Sequence, residues 1–356
     1  MRAAEPLSLL GGAALCWLAV ACQSPRPGPP RATDRYEGCE DPAGRAALAA
    51  ARAAIARGAV GEALPDLRRA IEACPDNVRS HLLYLDTALE VGGAAQIEME
   101  QFYAGRDDGV SPVWPYAQAR LAADHETRQL RLQEAVRRDR TFYWGYLSLG
   151  RMWHSIGNTE NAAARLRDAL SARPDCPEAR LALGQVLSEL GRYEEAEVEY
   201  GNYVRARPTD REVLREYVRL LIYQLARLDQ ASPLVQRMVD QDPEDIEALM
   251  NLAAIHWKAG KPHDARDVYR QVLQIDPNSA AAVLNLANLY YEPLARDDKQ
   301  AAWTRARRAY RYYLRLGRTD TVFDVWDQQF AVPDRLARIE SELGPDEAAP
   351  PRLGEF

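Results

Sequence analysis

A repeat constrains this chain more than any other feature. Gly150 and Gly184 are 34 residues apart, and the same step separates Leu149 from Leu183, Gly157 from Gly191, Ala162 from Ala196, Leu166 from Tyr200 and Pro174 from Pro208. Pro243 follows Pro208 after 35 residues and Pro277 comes 34 later, while Ala231 keeps step with Ala265 and Leu252 with Leu286. A fixed period of this length means that one small unit, unable to bury its apolar face alone, is copied and stacked. An array grows its core along one axis, so 356 residues need not divide into two or three globular domains.

Each repeated residue type has a mechanical reason. Leu149-Gly150 and Leu183-Gly184 set a large residue beside a very small one, which lets a neighbouring helix approach closely. Gly157, Gly191 and Gly260 stand where one helix must stop and turn, a place that favours left-handed backbone angles. Ala162, Ala196 and Ala265 allow a second helix to pack tightly on the first, and Pro174, Pro208, Pro243 and Pro277 end the second helix. The period therefore predicts an all-α chain of helical hairpins.

This pattern resembles the tetratricopeptide repeat family. The clearest copies run Tyr143–Cys176, Pro177–Asp210, Arg211–Asp245 and Ile246–Ser279, and a first copy is readable at Gly44–Asn77 through Gly58, Ala63, Leu67, Ala70 and Pro75. Degenerate copies fill Val78 to Phe142, and a last copy opens at Ala280 with an insertion near Tyr291–Gln300. About eight units over 43–317 are expected, then a capping helix region at 318–343 and a disordered tail at 344–356. The resemblance implies an alpha-alpha superhelix, a right-handed solenoid whose first helices line a concave groove that holds peptides.

The N-terminus has its own grammar. An apolar run from Leu7 to Ala21, too short for a comfortable membrane span, reads as an export signal over 1–21. Its end, Leu18-Ala19-Val20-Ala21-Cys22, resembles the lipobox of bacterial lipoproteins, with Ala19 where Leu is commoner; this implies lipid on Cys22. Residues 22–42 hold Pro25, Pro27, Pro29 and Pro30 and read as a tether. Gln23 after the cysteine implies sorting to the outer membrane, facing the periplasm. Cys16 leaves with the signal. Export permits a disulfide, and a Cys39–Cys74 pair is expected because antiparallel helices bring the start of one and the end of the next together.

Composition narrows the function. With 45 basic against 52 acidic residues and a net charge of -7, the chain is not expected to bind nucleic acid generally. A cluster from Arg305 to Arg318, with Tyr310, Tyr312 and Tyr313 interleaved, leaves a local anionic contact open. His81, His125, His154, His256 and His263 form no metal-binding spacing, and there is no nucleophile elbow, phosphate loop or dinucleotide fingerprint. Glu194-Glu195 reads as a helix-dipole placement. No catalytic residue, metal or cofactor is expected.

What remains is binding of proteins or extended peptide segments. Asn251 and Asn285 are 34 apart and repeat on one face, with Asn288 about a turn further on. In family members that hold extended peptides, groove asparagines grip the peptide backbone, a task that suits an amide because it donates and accepts. Met250, Trp257, Tyr291 and Arg151 join them as expected groove residues, with Trp144, Leu147, His154, Gln185 and Leu284 as neighbours. The reading is an exported, lipid-anchored adaptor of a bacterial cell-envelope assembly. An accessory subunit of an envelope enzyme and a purely architectural spacer remain as rivals.

Overall fold

The computed structural model describes residues 35–316 and 331–344. The export segment, Cys22, most of the tether, Arg318 and residues 345–356 lie outside the described residues. The chain divides after Ala117 into two compact units. The first holds α1 (Pro42–Ala56), α2 (Ala63–Ala73), α3 (Val78–Val91), α4 (Gly93–Tyr103) and the start of α5 (Val113–Leu121). The second continues with α6 (His125–Arg138), α7 (Tyr143–Ser155), α8 (Thr159–Ala172), α9 (Pro177–Glu189), α10 (Tyr193–Ala206) and α11 (Arg211–Arg219). It ends with α12 (Leu228–Gln241), α13 (Ile246–Lys258), α14 (Pro262–Ile275), α15 (Ala280–Tyr291), α16 (Lys299–Leu316) and α17 (Val332–Leu343). No strand occurs among the described residues, and no helix among them is long and apolar enough to cross a membrane.

The helices pair as hairpins, α1 with α2, α3 with α4, α7 with α8, α9 with α10, α13 with α14 and α15 with α16. Within each unit successive hairpins also pack on one another, α2 with α3 in the first and α6 with α7, α8 with α9, α10 with α11, α12 with α13 and α14 with α15 in the second, and first helices touch, α7 with α9 and α11 with α13. Small residues make this possible. Ala162, Ala196, Ala231 and Ala265 have no exposed surface. On α7, a Cβ on Gly150 would come within 2.6 Å of Leu166 on α8, so the close approach requires glycine. Starts are fixed chemically as well: Asp41, Asn77, Asp124, Asn158, Asp210 and Asp245 each accept a backbone N–H from the first turn of the helix they precede.

The 35-residue copy has a structural cause. After α11 the chain adopts a π turn over Leu220–Gln224, in which the Leu225 amide donates to the Leu220 carbonyl at 3.1 Å. A π turn absorbs one residue more than an α-helical turn. The following tight turn falls on Ala226, at φ 52°, where the neighbouring copies place Gly191 at φ 71° and Gly260 at φ 72°.

Among the described residues no further hairpin follows α15–α16, and α17 packs against α16. Val332 and Ile339 are buried, Lys299 pairs with Glu342, and Arg311 pairs with Glu340 at 2.6 Å. Arg307, itself buried, donates to the Gly344 carbonyl at 2.8 Å. Two arginines of the expected basic cluster thus hold the closing helix.

Candidate functional site

The second unit gathers three of the expected binding residues around one open cavity of about 490 Å³. Met250, Trp257 and Asn285 line it together with Tyr223, Ala254, Lys258 and Tyr269. The α13 helix supplies Met250, Ala254, Trp257 and Lys258, which fall on one stripe through spacings of three and four. Asn285 comes from α15, Tyr269 from α14 and Tyr223 from the π turn. Tyr269 is 1% exposed and forms the floor, whereas Tyr223, 50% exposed, stands at the rim. The lining is apolar and adaptable, with an amide and an ammonium at its edges, the composition of a site that takes a side chain and orients its backbone.

Lys258 Nζ lies 5.8 Å from the centre of the Tyr223 ring. The Tyr223 hydroxyl donates to Asn251 Oδ1 at 3.4 Å, and burial raises the phenol's pKa, with the charges of Arg219 and Glu247 acting in opposite directions. Upstream, Asp245 fixes α13 against α11: its carboxylate accepts from Arg215 at 2.7 Å and Arg211 at 3.2 Å while capping α13 through Ala248 N. Burial alone would raise its pKa, but these donors bring it below the ordinary carboxylate value.

Other expected groove residues lie elsewhere. Asn251 is only 4% exposed, with Nδ2 buried and without a partner; it supports Tyr223 from below and does not face a groove. Asn288, 2% exposed, accepts from the Tyr310 hydroxyl at 2.6 Å and from Arg335 at 2.9 Å, so α16 and α17 occupy its acceptor oxygen. Tyr291 is buried against Trp303, its ring stacked at 5.4 Å, with the Arg335 guanidinium above it. The reason is the same for both: the capping helix sits against the last hairpin. Leu147 and Leu284 are core residues. Arg151 is exposed on α7 and does not line the cavity. His154 bridges to Glu189 at 2.8 Å, linking α7 to α9.

Sequence reasoning missed Tyr223, Lys258, Ala254 and Tyr269. A signal existed for Tyr223, the odd 35-residue step. Among the described residues no group of three or more His, Cys, Asp or Glu side chains is placed to hold a metal ion.

In the first unit a disulfide joins Cys39 to Cys74, with Cα atoms 5.5 Å apart. Gly44 lies against it; a Cβ there would meet the Cys39 sulfur at 2.7 Å. Cys176 is a buried free thiol, and burial pushes its pKa up to about 11.

Stacked antiparallel hairpins with tight glycine turns and small residues at the crossings define an all-α, tetratricopeptide-type repeat architecture. Tetratricopeptide repeat models match the chain over residues 155–211 and 246–289. The type IV pilus assembly protein PilF of Pseudomonas aeruginosa is 29% identical over 152 residues, covering 41% of this chain and 59% of PilF. The mouse protein O-mannosyl-transferase TMTC3 is 26% identical over 163 residues, 40% of this chain and 18% of that protein. The chain thus spans less than two thirds of the length of each of these relatives. Among solved structures, YrrB, described as a TPR protein with an unusual peptide-binding site, aligns at 19% identity with a TM-score of 0.44, covering 56% of this chain and 97% of YrrB. The structure of Pseudomonas aeruginosa PilF aligns at 24% identity and a TM-score of 0.39, covering 56% of this chain and 90% of PilF.

Proposed function

We propose that this chain is an exported, lipid-anchored adaptor that holds extended segments of partner proteins in a bacterial cell-envelope assembly. The observation that carries this reading is the convergence of Met250, Trp257 and Asn285 on one open cavity. Residues from two neighbouring hairpins and the π turn before them build it, so an extended segment lying across the first helices would reach it. The likeness to a pilus assembly protein supports the envelope setting. The lipobox at Cys22 and the proline-rich stretch behind it support anchoring, with Gln23 favouring the outer membrane and the periplasmic side.

A photo-crosslinking amino acid at Met250, compared in the native cell with one at Val198, exposed on the second helix α10, tests the reading. Discrete adducts from position 250 and none from 198 are expected. Adducts from 198 alone would move the working surface to the second helices and overturn it.

A further inference from the structure

The cavity around Tyr223 is built by an irregularity, and that irregularity says something about its occupant. Counted from the start of its helix, Tyr223 matches Glu189 one copy earlier and Lys258 one copy later. Counted back from the tight turn, it matches Ser188 and Trp257. The extra residue of the π turn is what separates the two registers, and it leaves an aromatic ring half exposed at the rim. The distortion is accompanied by local strain, since Ala226 must take the left-handed turn that glycine takes in the copies on either side. π turns of this kind recur at functional sites.

The chemistry of the lining narrows what fits. Tyr223, Met250, Trp257 and Tyr269 present aromatic and polarizable apolar surface, and a cavity of about 490 Å³ accommodates a large side chain with adjoining backbone. Among the residues that line it, Lys258 alone is charged. Its ammonium is exposed and rests on the Tyr223 ring. Arg219 and Glu247, the charges that act on Tyr223 from α11 and α13, lie 3.9 Å apart and offset each other. The buried Asn251 amide, whose Nδ2 has no partner, sits beneath the tyrosine and leaves that ring held by a single long hydrogen bond.

We infer that the π turn creates an anchor pocket whose occupant is an extended partner segment carrying an aromatic side chain next to a carboxylate side chain. The aromatic ring enters between Trp257, Met250 and Tyr269. Asn285 meets the backbone beside it, and Lys258 receives the carboxylate. This inference rests on the adaptor reading and adds the chemical class of the segment.

Fluorescence anisotropy with the full mature chain tests it. The probes are labelled nonapeptides of glycine and serine that carry Trp-Glu, Trp-Lys or Ala-Glu at the centre. The Trp-Glu peptide should bind at least about tenfold more tightly than either of the others, the scale of a well-placed anchor or charge pair. Lys258→Glu should reverse the preference between Trp-Glu and Trp-Lys, and the neutral Lys258→Met should erase it. Tyr223→Ala should weaken the Trp-Glu peptide by about tenfold or more. Circular dichroism of all these variants should match the parent; the melting midpoints of the Lys258 variants should match as well, while Tyr223→Ala should melt somewhat lower because the buried Asn251 amide loses its partner. Equal binding of Trp-Glu and Trp-Lys overturns the inference, as does a preference indifferent to Lys258. If all three peptides bind alike and Trp257→Ala abolishes them, the groove reading stands while this pocket chemistry falls. If none binds while position 250 crosslinks to a partner in cells, the occupant is of another class and the inference falls as well.

Discussion

His81 shows how completely one side chain can be committed to structure. It has no exposed surface; Nε2 lies 2.9 Å from the Pro75 carbonyl and Nδ1 lies 3.0 Å from the Tyr103 hydroxyl. The carbonyl can only accept, so Nε2 carries the proton and Nδ1 accepts from the tyrosine: the ring is neutral. Burial lowers its pKa to about 4, against 6.5 in the unfolded chain, with the Pro75 carbonyl and the Asp76 charge opposing the drop. Below 6.5 the unfolded chain takes up a proton that the folded chain refuses until near 4. Stability is therefore complete above about pH 6.5 and declines as the pH falls toward 4, by a total of about 3 kcal/mol. Denaturant midpoints between pH 7.5 and 4.5 should fall in the parent and fall less in His81→Gln; parallel profiles would count against a neutral buried ring. The three asparagines of α13 and α15 make a second case, because one sequence signal met three environments. Asn288→Ala should lower stability by about 1–3 kcal/mol, since the buried Tyr310 hydroxyl loses its acceptor and Arg335 loses one of its partners, keeping Glu292. Asn285→Ala should leave the midpoint within about 0.5 kcal/mol and weaken binding instead. A stable Asn288→Ala protein would mean that the cap does not depend on this contact.

At the scale of the element, the helix α11 and its π turn mark the limit of what periodicity can convey. The 34-residue step was enough to place the hairpins, because glycine at a tight turn and alanine at a crossing each answer to one local requirement. Gly150 and Ala162 read correctly for that reason: nothing larger fits where α7 meets α8. Spacing alone also puts Met250 and Trp257 on one face of α13 and Asn285 on the next first helix, α15, while a binding role for them stays a proposal. Tyr223 was not legible in this way, because its direction depends on where in the turn the extra residue is absorbed, and sequence reports only that one exists. Asn288 and Tyr291 misled for a different reason. They sit in a regular helix at the right phase, but a distant segment, α17, covers them, and no local pattern encodes that. The π turn also offers a direct test of strain. Ala226 at φ 52° occupies the position that Gly157, Gly191 and Gly260 hold at φ between 71° and 76°. A left-handed L-residue costs about 1–2 kcal/mol, and glycine returns part of that as greater unfolded-state freedom. Ala226→Gly should therefore raise stability by about 0.5–1 kcal/mol. A lower melting midpoint would show that the turn is not strained and that the π register is set by something other than tolerance at Ala226.

For the whole molecule, the cysteines tie fold, compartment and anchoring together. The Cys39–Cys74 bridge closes a loop of 35 residues, for which the chain-entropy model gives about 3–4 kcal/mol. It pins the segment ahead of α1 to the end of α2, and nearby the Asn77 side-chain amide donates to the Glu37 carbonyl at 3.0 Å. Such a bridge is favoured by an oxidising compartment, the destination that the proposed export signal before Cys22 implies. Cys176 does not compete for either partner, being buried with its thiol held well above neutral pH. The three cysteines beyond Cys22 should then behave differently according to route. A form lacking residues 1–22 and made in a reducing cytosol should titrate three thiols when unfolded without reductant, and the exported form only one, from Cys176. Lipid on Cys22 is a separate claim with a separate readout. One acyl chain binds a bilayer only marginally, so stable anchoring requires more than one chain on that residue. Cys22→Ser removes the attachment point while leaving the apolar run and every described contact intact. Once the export segment with Cys16 is removed, the variant should move from the membrane fraction to the soluble fraction and still titrate a single thiol, because the disulfide depends on export and not on lipid. Membrane retention by the variant, together with an unmodified mass for the parent, would reject the lipid anchor while leaving the thiol count to decide export independently.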